Sequence, residues 1–282
     1  MPITNFMDTG TLIGYTIGVV MIFAAVVVGG VESFAPFLNI PSLFIVFGGT
    51  AAALFIAYPL PSIRKSLFAV RKCFTTVKNA PEIIVDRLVF FAESARREGL
   101  LAQEKRLNEV EDPFLAEGLN LIVDGLPPAT VENILTGKIE AMQHRHQQSR
   151  NIVLHCGRCA PAFGMIGTLI GLVLMLTRLN ADTVGPGMAV AVLTTFYGLL
   201  AAHLIFMPIA EKLKQLHEAE MQIKMLIVRG VLAIQAGEHP RIIQQKLLTF
   251  LPPEEHSEEN RIPAEYVQAI VVPTEAEVQQ AA

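Results

Sequence analysis

Charged side chains are almost absent from the start of this sequence. No Lys or Arg precedes Arg64, and only Asp8 and Glu32 carry an acidic group before it. Over all 282 residues, 52% are hydrophobic and 17% are charged, and the mean hydropathy is +0.46. This composition is too apolar for an ordinary soluble domain and predicts a membrane protein.

Motifs typical of enzymes and of nucleic-acid-binding proteins are also missing. We find no phosphate-binding loop, dinucleotide fingerprint or pair of nucleophile and base, so we expect no enzyme, no catalytic residue and no cofactor. The basic residues are interspersed with acidic ones, which argues against binding to nucleic acid. Three cysteines form no disulfide framework. The pair Cys156 and Cys159 lacks a second pair to complete four zinc ligands, so we expect no metal site.

Four apolar runs are long enough to cross a bilayer as helices. They occupy residues 11–30, 41–60, 159–177 and 186–207. A helix needs about 20 residues to span the hydrocarbon core at a rise of about 1.5 Å per residue. The first run is too long for a signal peptide and has no basic residue before it, so we expect it to be retained. The sequence therefore predicts an all-α integral membrane protein with four transmembrane helices.

The distribution of basic residues predicts the orientation of these spans. Of the 22 Lys and Arg residues, fourteen lie between Pro61 and Arg158, seven follow Pro208, and one, Arg178, lies between the last two spans. Basic segments next to membrane spans stay on the cytoplasmic side. We therefore expect a large cytoplasmic loop and cytoplasmic N- and C-termini.

The chain divides into segments of different composition. We predict the first two transmembrane helices in residues 1–60, a helical cytoplasmic loop in 61–158, the last two transmembrane helices in 159–208, a helical cytoplasmic extension in 209–252 and an acidic disordered tail in 253–282.

Breakers and caps predict the helices of the loop. A helix beginning at Pro81 should end at Gly99, and a second should run from Leu100 to Asp112, where the following proline stops it. Thr130 can cap a long helix that continues through Pro161 into the third span.

No Asp or Glu lies inside any of the four spans. The polar groups at membrane depth are mainly hydroxyls: Thr168 lies near the middle of the third span, and Thr194 and Thr195 lie near the middle of the antiparallel fourth. Membrane threonines often bond to carbonyls of their own helix without further function, and that alternative stays open. If the protein belongs to an ion-driven machine, another chain must supply the ion-binding carboxylate, which predicts a membrane partner.

Two further features of the spans have a structural and a functional interpretation. Gly14 and Gly18 on the first span, and Gly167 and Gly171 on the third, have the four-residue spacing that permits close helix packing. His203 is ionisable and lies within the fourth span, which makes it a candidate for a mechanistic role.

Two long motifs resemble the MotA and PomA family of flagellar motor stators. Residues 161–169 read PAFGMIGTL in the third span, and residues 193–198 read LTTFYG in the fourth, followed by PIA at 208–210. The resemblance extends over most of the chain, from the first span to about Gly237. It implies a bacterial inner-membrane protein in which five copies form a ring around a MotB or PomB partner. A partner aspartate would carry the permeant cation, H⁺ or Na⁺.

The resemblance also implies roles for particular residues. Thr168, Thr194 and Thr195 would line the ion path, and Pro161 and Pro208 would couple ion passage to movement. Charged residues on the cytoplasmic loop would contact the rotor protein FliG, namely Arg96, Arg97 and Glu104. Membrane lipid would surround the ring.

Two other functions remain open on the sequence. An ExbB or TolQ type energiser also surrounds a partner carboxylate, but it has one span before the large loop, whereas this chain has two. A membrane scaffold without ion conduction would use the threonines for packing alone.

Overall fold

A computed structural model of the chain describes residues 9–30, 35–72, 81–100, 110, 112–177 and 181–250. The helices of this part are α1 (Thr9–Val28), α2 (Ile40–Ala57), α3 (Leu60–Lys72), α4 (Pro81–Glu98), α5 (Pro113–Val123), α6 (Pro128–Thr177), α7 (181–235) and α8 (Pro240–Leu248), with a short 3₁₀ turn at Ala35–Phe37. Four helices are long and apolar enough to cross a membrane: α1, α2, α6 and α7. The predicted four-span, all-α class is confirmed.

The chain forms two compact units. The first unit, called the membrane unit below, comprises Met1–Val77 and Glu140–Glu220, and the second comprises Lys78–Ile139 and Met221–Ala282. The long helices α6 and α7 each contribute to both units. The units therefore cut across the segments predicted at 61–158 and 209–252. The tail predicted at 253–282 lies outside the described residues.

Helix α6 is one continuous helix of 50 residues with Pro161 inside it. The prediction that a helix of the loop runs directly into the third span is therefore confirmed. Its beginning differs from the prediction, because the helix starts at Pro128 and not after a Thr130 cap. Proline suits the first helical turn, where its missing N–H has no intrahelical partner to lose.

Proline also begins helix α5, which the sequence did not predict. Asp112 precedes Pro113, and its Oδ1 accepts hydrogen bonds from the N–H groups of Phe114 at 2.8 Å and Leu115 at 3.0 Å. Pro113 is thus the start of a helix as well as a barrier to any helix before it. The helix predicted from Leu100 to Asp112 lies almost wholly outside the described residues.

Helix α4 has the predicted limits. It starts at Pro81, and Gly99 follows its last residue with a φ of +86°. That left-handed conformation favours glycine, because a Cβ would be strained there.

Two membrane helices contain wider π-helical turns, at Phe44–Gly48 of α2 and at Ala201–Phe206 of α7. The two turns meet at a small buried cluster formed by Val46, Ala160 and Ala201. Such turns shift the register of the helix and occur often at functional sites.

The second unit has a large apolar core. It gathers buried residues from α4, α5, the start of α6, the end of α7 and α8. Leu88, Leu135 and Ile243 are 0% exposed. Burial of such side chains from water is the main driving force for folding of a unit that faces water.

Candidate functional site

The helices α6 and α7 pack through glycines along their membrane-spanning parts. A Cβ at Gly164 would lie 2.9 Å from the Thr194 carbonyl oxygen, and a Cβ at Gly171 would lie 2.6 Å from the Gly187 carbonyl oxygen. On α7, a Cβ at Gly198 would lie 2.6 Å from the Ala160 oxygen. The backbones are therefore in direct contact, as the glycine spacing on the third span predicted.

The three threonines differ in their surroundings. Thr194 is 0% exposed and packs on Gly167, so the third and fourth spans do meet at this depth. Its hydroxyl donates to the carbonyls of Val190 at 2.9 Å and Ala191 at 3.0 Å. Thr168 and Thr195 are half-buried instead.

The hydroxyls of the two half-buried threonines also point to their own helices. Thr168 Oγ1 donates to the Met165 carbonyl at 2.6 Å, and Thr195 Oγ1 lies 3.5 Å from the Ala191 carbonyl. The 3.5 Å contact is too long for a strong hydrogen bond, so the Thr195 hydroxyl is held loosely. Within one chain, the Thr194 oxygen is enclosed between helices, whereas those of Thr168 and Thr195 lie on partly open surface.

Pro161 lies where the two π-helical turns converge. It follows Ala160 of the buried cluster, and a Cβ at Gly198 would lie 3.1 Å from its Cα. Proline removes one backbone hydrogen bond of the helix, which locally weakens resistance to bending. The structure therefore places a weakened position of α6 against irregular turns of two neighbouring helices.

The second predicted proline occupies a different setting. Pro208 is exposed and follows the π-helical turn of α7 by two residues. His203 lies inside that turn and is also exposed. The two prolines thus occur next to irregular helix geometry, with Pro161 half-buried among its neighbours and Pro208 on the surface.

A polar network at the start of α2 was missed by the sequence reasoning. The Tyr197 hydroxyl donates to the Phe37 carbonyl and accepts from the Asn39 N–H at 3.1 Å. Asn39 caps α2 by accepting from the Ser42 N–H at 3.0 Å and from its hydroxyl at 2.9 Å. An Asn two residues before a proline is a recognisable helix-start signal. Its link to Tyr197, 158 positions away, could not be read from the sequence.

The cysteine pair sits beside a histidine on α6. Cys159 Sγ lies 3.5 Å from His155 Nε2, and Cys156 is buried. In the part of the chain that the structure describes, no three His, Cys, Asp or Glu side chains are placed to hold a metal ion.

The second unit carries the predicted rotor-contact residues at the end of α4. Arg96 and Arg97 are both exposed in the last helical turn, where positive charge is favoured by the helix dipole. Glu104 lies outside the described residues, so its position relative to them stays a prediction.

A nearly buried ion pair organises the same unit. Lys224 Nζ lies 3.0 Å from Asp112 Oδ2, with only 10% and 12% of the two side chains exposed. Burial by itself raises the pKa of the Asp112 carboxyl, but the hydrogen bonds from Leu115 and Lys224 outweigh it and hold the pKa below its ordinary value of 3.8. Asp112 therefore both caps α5 and ties it to α7.

The described structure is a four-span membrane protein whose third and fourth spans pack closely around the buried hydroxyl of Thr194, and the apolar segments 159–177 and 186–207 contain no Asp or Glu. Residues 106–225 match the MotA/TolQ/ExbB proton channel family. Motility protein A of Treponema phagedenis is 40% identical, over 89% of this chain and 97% of that protein. Chemotaxis protein PomA of Vibrio alginolyticus is 36% identical, over 87% of this chain and 96% of that protein.

A solved structure shares the fold. The flagellar MotAB stator complex from Bacillus subtilis contains a chain that is 34% identical, with a TM-score of 0.82, matched over 88% of this chain and 98% of that one. The chain belongs to the MotA/TolQ/ExbB proton channel family and, within it, to the flagellar stator subunits. The resemblance in the two motifs is thereby confirmed.

Proposed function

We propose that this chain is the multi-pass half of a flagellar stator, which converts the flux of H⁺ or Na⁺ across the inner membrane into torque. The observation that carries the proposal is the tightly packed α6 and α7 pair, which has hydroxyls but no carboxylate in its apolar parts. An ion path needs a group that binds and releases the cation. A single-span MotB or PomB type partner supplies that carboxylate, and several copies of this chain form a ring around it.

The ion path runs along the partly open surfaces at Thr168 and Thr195. Both hydroxyls lie on partly open surface of the single chain, whereas Thr194 is enclosed. Thr194 does not line the path in this proposal. It packs on Gly167 and so sets the distance between α6 and α7 beside the path.

Pro161 and Pro208 couple ion passage to movement of the helices. Both lie next to π-helical turns, and a helix lacking regular hydrogen bonds there needs less energy to bend. The loop and both termini lie in the cytoplasm, as the basic residues indicate. There Arg96, with Arg97 beside it, and Glu104 contact the rotor protein FliG.

The ion-path assignment is tested by removing single hydroxyls at nearly constant volume. Thr168→Val and Thr195→Val should each lower ion-driven rotation in cells that also make the partner. Thr16→Val is the matched control, because the Thr16 hydroxyl bonds to the Ile13 carbonyl at 2.9 Å in the same way, but on the exposed helix α1. If all three variants swim at the same speed over a range of pH and sodium concentrations, Thr168 and Thr195 serve packing and not the ion path.

The rotor contact is tested by reversing charge. Arg96→Glu combined with Glu104→Lys should abolish or cripple swimming while leaving expression and ion leakage unchanged. The control exchanges the exposed pair Glu117 and Lys138 of the same unit by Glu117→Lys with Lys138→Glu, which should have little effect. Normal torque from the first double variant would refute the contact.

A further inference from the structure

The helices α1 and α7 touch at one level and separate towards the start of α1. A Cβ at Gly18 would lie 2.8 Å from Leu204 Cδ1, so the helices are in close contact there. One turn earlier on α1, a Cβ at Gly14 would meet nothing within 4 Å. Among the described residues, the first-span glycine that packs closely is therefore Gly18 and not Gly14.

The separation leaves a cleft of about 310 Å³. Gly14 and Tyr15 line it from α1, and Leu204, Pro208 and Ile209 line it from α7, so its walls are mainly apolar. Lys212 and Thr11 line its end away from Gly18, where the Lys212 ammonium donates to the Thr11 hydroxyl.

The cationic end of the cleft lies at the depth of lipid headgroups. Lys212 follows Met207, the last residue of the apolar run, by five positions, which is about 7 Å along a helix. Thr11 is the second residue of the first span, Gly10–Val28. The headgroup layer occupies about 5 to 8 Å beyond each side of the hydrocarbon core.

We propose that this cleft binds one anionic phospholipid. The Lys212 ammonium pairs with the lipid phosphate, the Thr11 hydroxyl donates to a phosphate oxygen, and the apolar walls receive the upper part of an acyl chain. Basic pockets between transmembrane helices select anionic headgroups because the positive charge is held at the phosphate level. A lysine that only extended to water would add to the general attraction of anionic lipid to the surface and would not hold one lipid in this cleft.

Lys214, the next lysine along the helix, is the comparison for Lys212. On the same helix, the Glu211 carboxylate lies 3.4 Å from the Lys214 ammonium, and the Glu218 carboxylate lies 3.9 Å from it. Lys214 thus pairs with two carboxylates of its own helix, and it is not among the described residues that line the cleft. Among the described residues that line the cleft, Lys212 is the one cation.

A bound lipid would also contact the proposed coupling segment, since Pro208 forms part of the cleft wall. This consequence rests on the proposed stator function. Lipid binding itself does not, because it needs only the membrane-embedded chain.

The test uses the fact that the chain contains no tryptophan. Tyr15→Trp places a unique fluorescent reporter in the cleft of the full chain, reconstituted into vesicles. Phe55→Trp places a reference reporter on α2, at a side chain that is 57% exposed. Quenching is compared between brominated phosphatidylglycerol and brominated phosphatidylcholine at constant total lipid.

We expect phosphatidylglycerol to be favoured about fivefold at position 15, the factor that corresponds to about 1 kcal/mol for one lysine at an anionic headgroup. At position 55, the ratio of quenching by phosphatidylglycerol to quenching by phosphatidylcholine should be close to one. Lys212→Gln should remove the preference at position 15, Lys212→Arg should retain it, and Lys214→Gln should leave it unchanged. In the Tyr15→Trp background, Gly14→Leu should fill the cleft and reduce quenching by either lipid. The control is Gly48→Leu, which should leave quenching at position 15 unchanged. A Cβ at Gly48 meets nothing within 4 Å.

Three results would overturn the proposal: equal quenching by both lipids at position 15, a preference that survives Lys212→Gln, or an equal loss in Lys214→Gln. The third result would mean that general surface charge attracts the lipid. Since Lys212→Arg keeps the charge, a loss in Lys212→Gln that Arg restores is not a folding defect. Failure of ion flux or rotation in the same variants would bear on the stator function and not on the lipid site.

Discussion

Each of the two units is stabilised by its own internal packing, and the two differ in the size of the side chains that pack. In the described part of the second unit, nineteen buried residues form one core, most of them Leu, Ile, Val or Phe. The corresponding cluster in the membrane unit has three buried members, Val46, Ala160 and Ala201. Its helices instead touch backbone to backbone at glycines, while many large apolar side chains remain exposed.

The surroundings explain this difference. Water drives large apolar side chains into the core of the second unit. Lipid chains are as apolar as leucine, so burying a leucine between membrane helices brings little gain, and close packing of small residues matters more. A mutation that adds volume should therefore damage the membrane unit most, and one that removes volume should damage the second unit most.

The largest expected effect is at Gly198 of the membrane unit. Gly198→Val would put a Cβ 2.6 Å from the Ala160 backbone oxygen, and backbone cannot move aside as a flexible side chain can. We expect the full chain to lose its folded, monodisperse state in detergent, measured by size-exclusion chromatography. Gly48→Val carries the same cost in helix propensity but meets nothing within 4 Å, so it should behave like the parent. A monodisperse Gly198→Val protein with the parent's thermal midpoint would contradict the backbone-contact account.

The next effect is at Ile243 in the core of the second unit. Ile243 is 0% exposed, and Ile243→Ala removes buried volume, so we expect a loss of about 2 to 5 kcal/mol in the free energy of unfolding. The preceding residue on the same helix, Ile242, is 48% exposed, and Ile242→Ala should cost less than about 1 kcal/mol. Hydrogen exchange in the second unit of the full chain, measured as denaturant is added, gives both losses. Equal losses would show that this unit does not depend on a buried core.

The third effect concerns charge instead of volume, at Asp112. Asp112→Asn keeps a side chain able to cap α5 but leaves the Lys224 ammonium without its carboxylate, so we expect a loss of about 2 to 3 kcal/mol at pH 7. The control, Glu117→Gln, breaks a largely exposed pair with Lys138 and should cost about 0 to 1 kcal/mol.

The same pair predicts a pH dependence. Because folding lowers the pKa of Asp112, its contribution to stability is fully present above the ordinary value of 3.8 and is lost as the pH falls through the folded pKa. The gap in stability between the parent and Asp112→Asn should therefore stay constant from pH 7 to about pH 5 and narrow below about pH 4. A constant gap down to pH 2 would exclude the ionised carboxylate as its source.

Local patterns in the sequence were sufficient for the membrane class, the four spans and the ends of several helices. Spans are readable because a helix that crosses lipid must be long and apolar, and Pro81 and Gly99 mark helix ends through backbone chemistry that needs no distant partner. The motif around Pro161 and the pair Thr194 and Thr195 were sufficient to indicate the family. The missing carboxylate, and with it the need for a partner, was also visible in the sequence.

Only the tertiary structure distinguished residues of the same type from one another. Thr194 is enclosed while Thr195 is half-buried, and Gly18 contacts α7 while Gly14 borders an open cleft. The ties of Asp112 to Lys224 and of Asn39 to Tyr197 join positions more than a hundred residues apart. Periodicity and caps report on neighbours within a few turns of one helix, whereas these contacts depend on where two helices cross, and that is decided by packing across the whole unit.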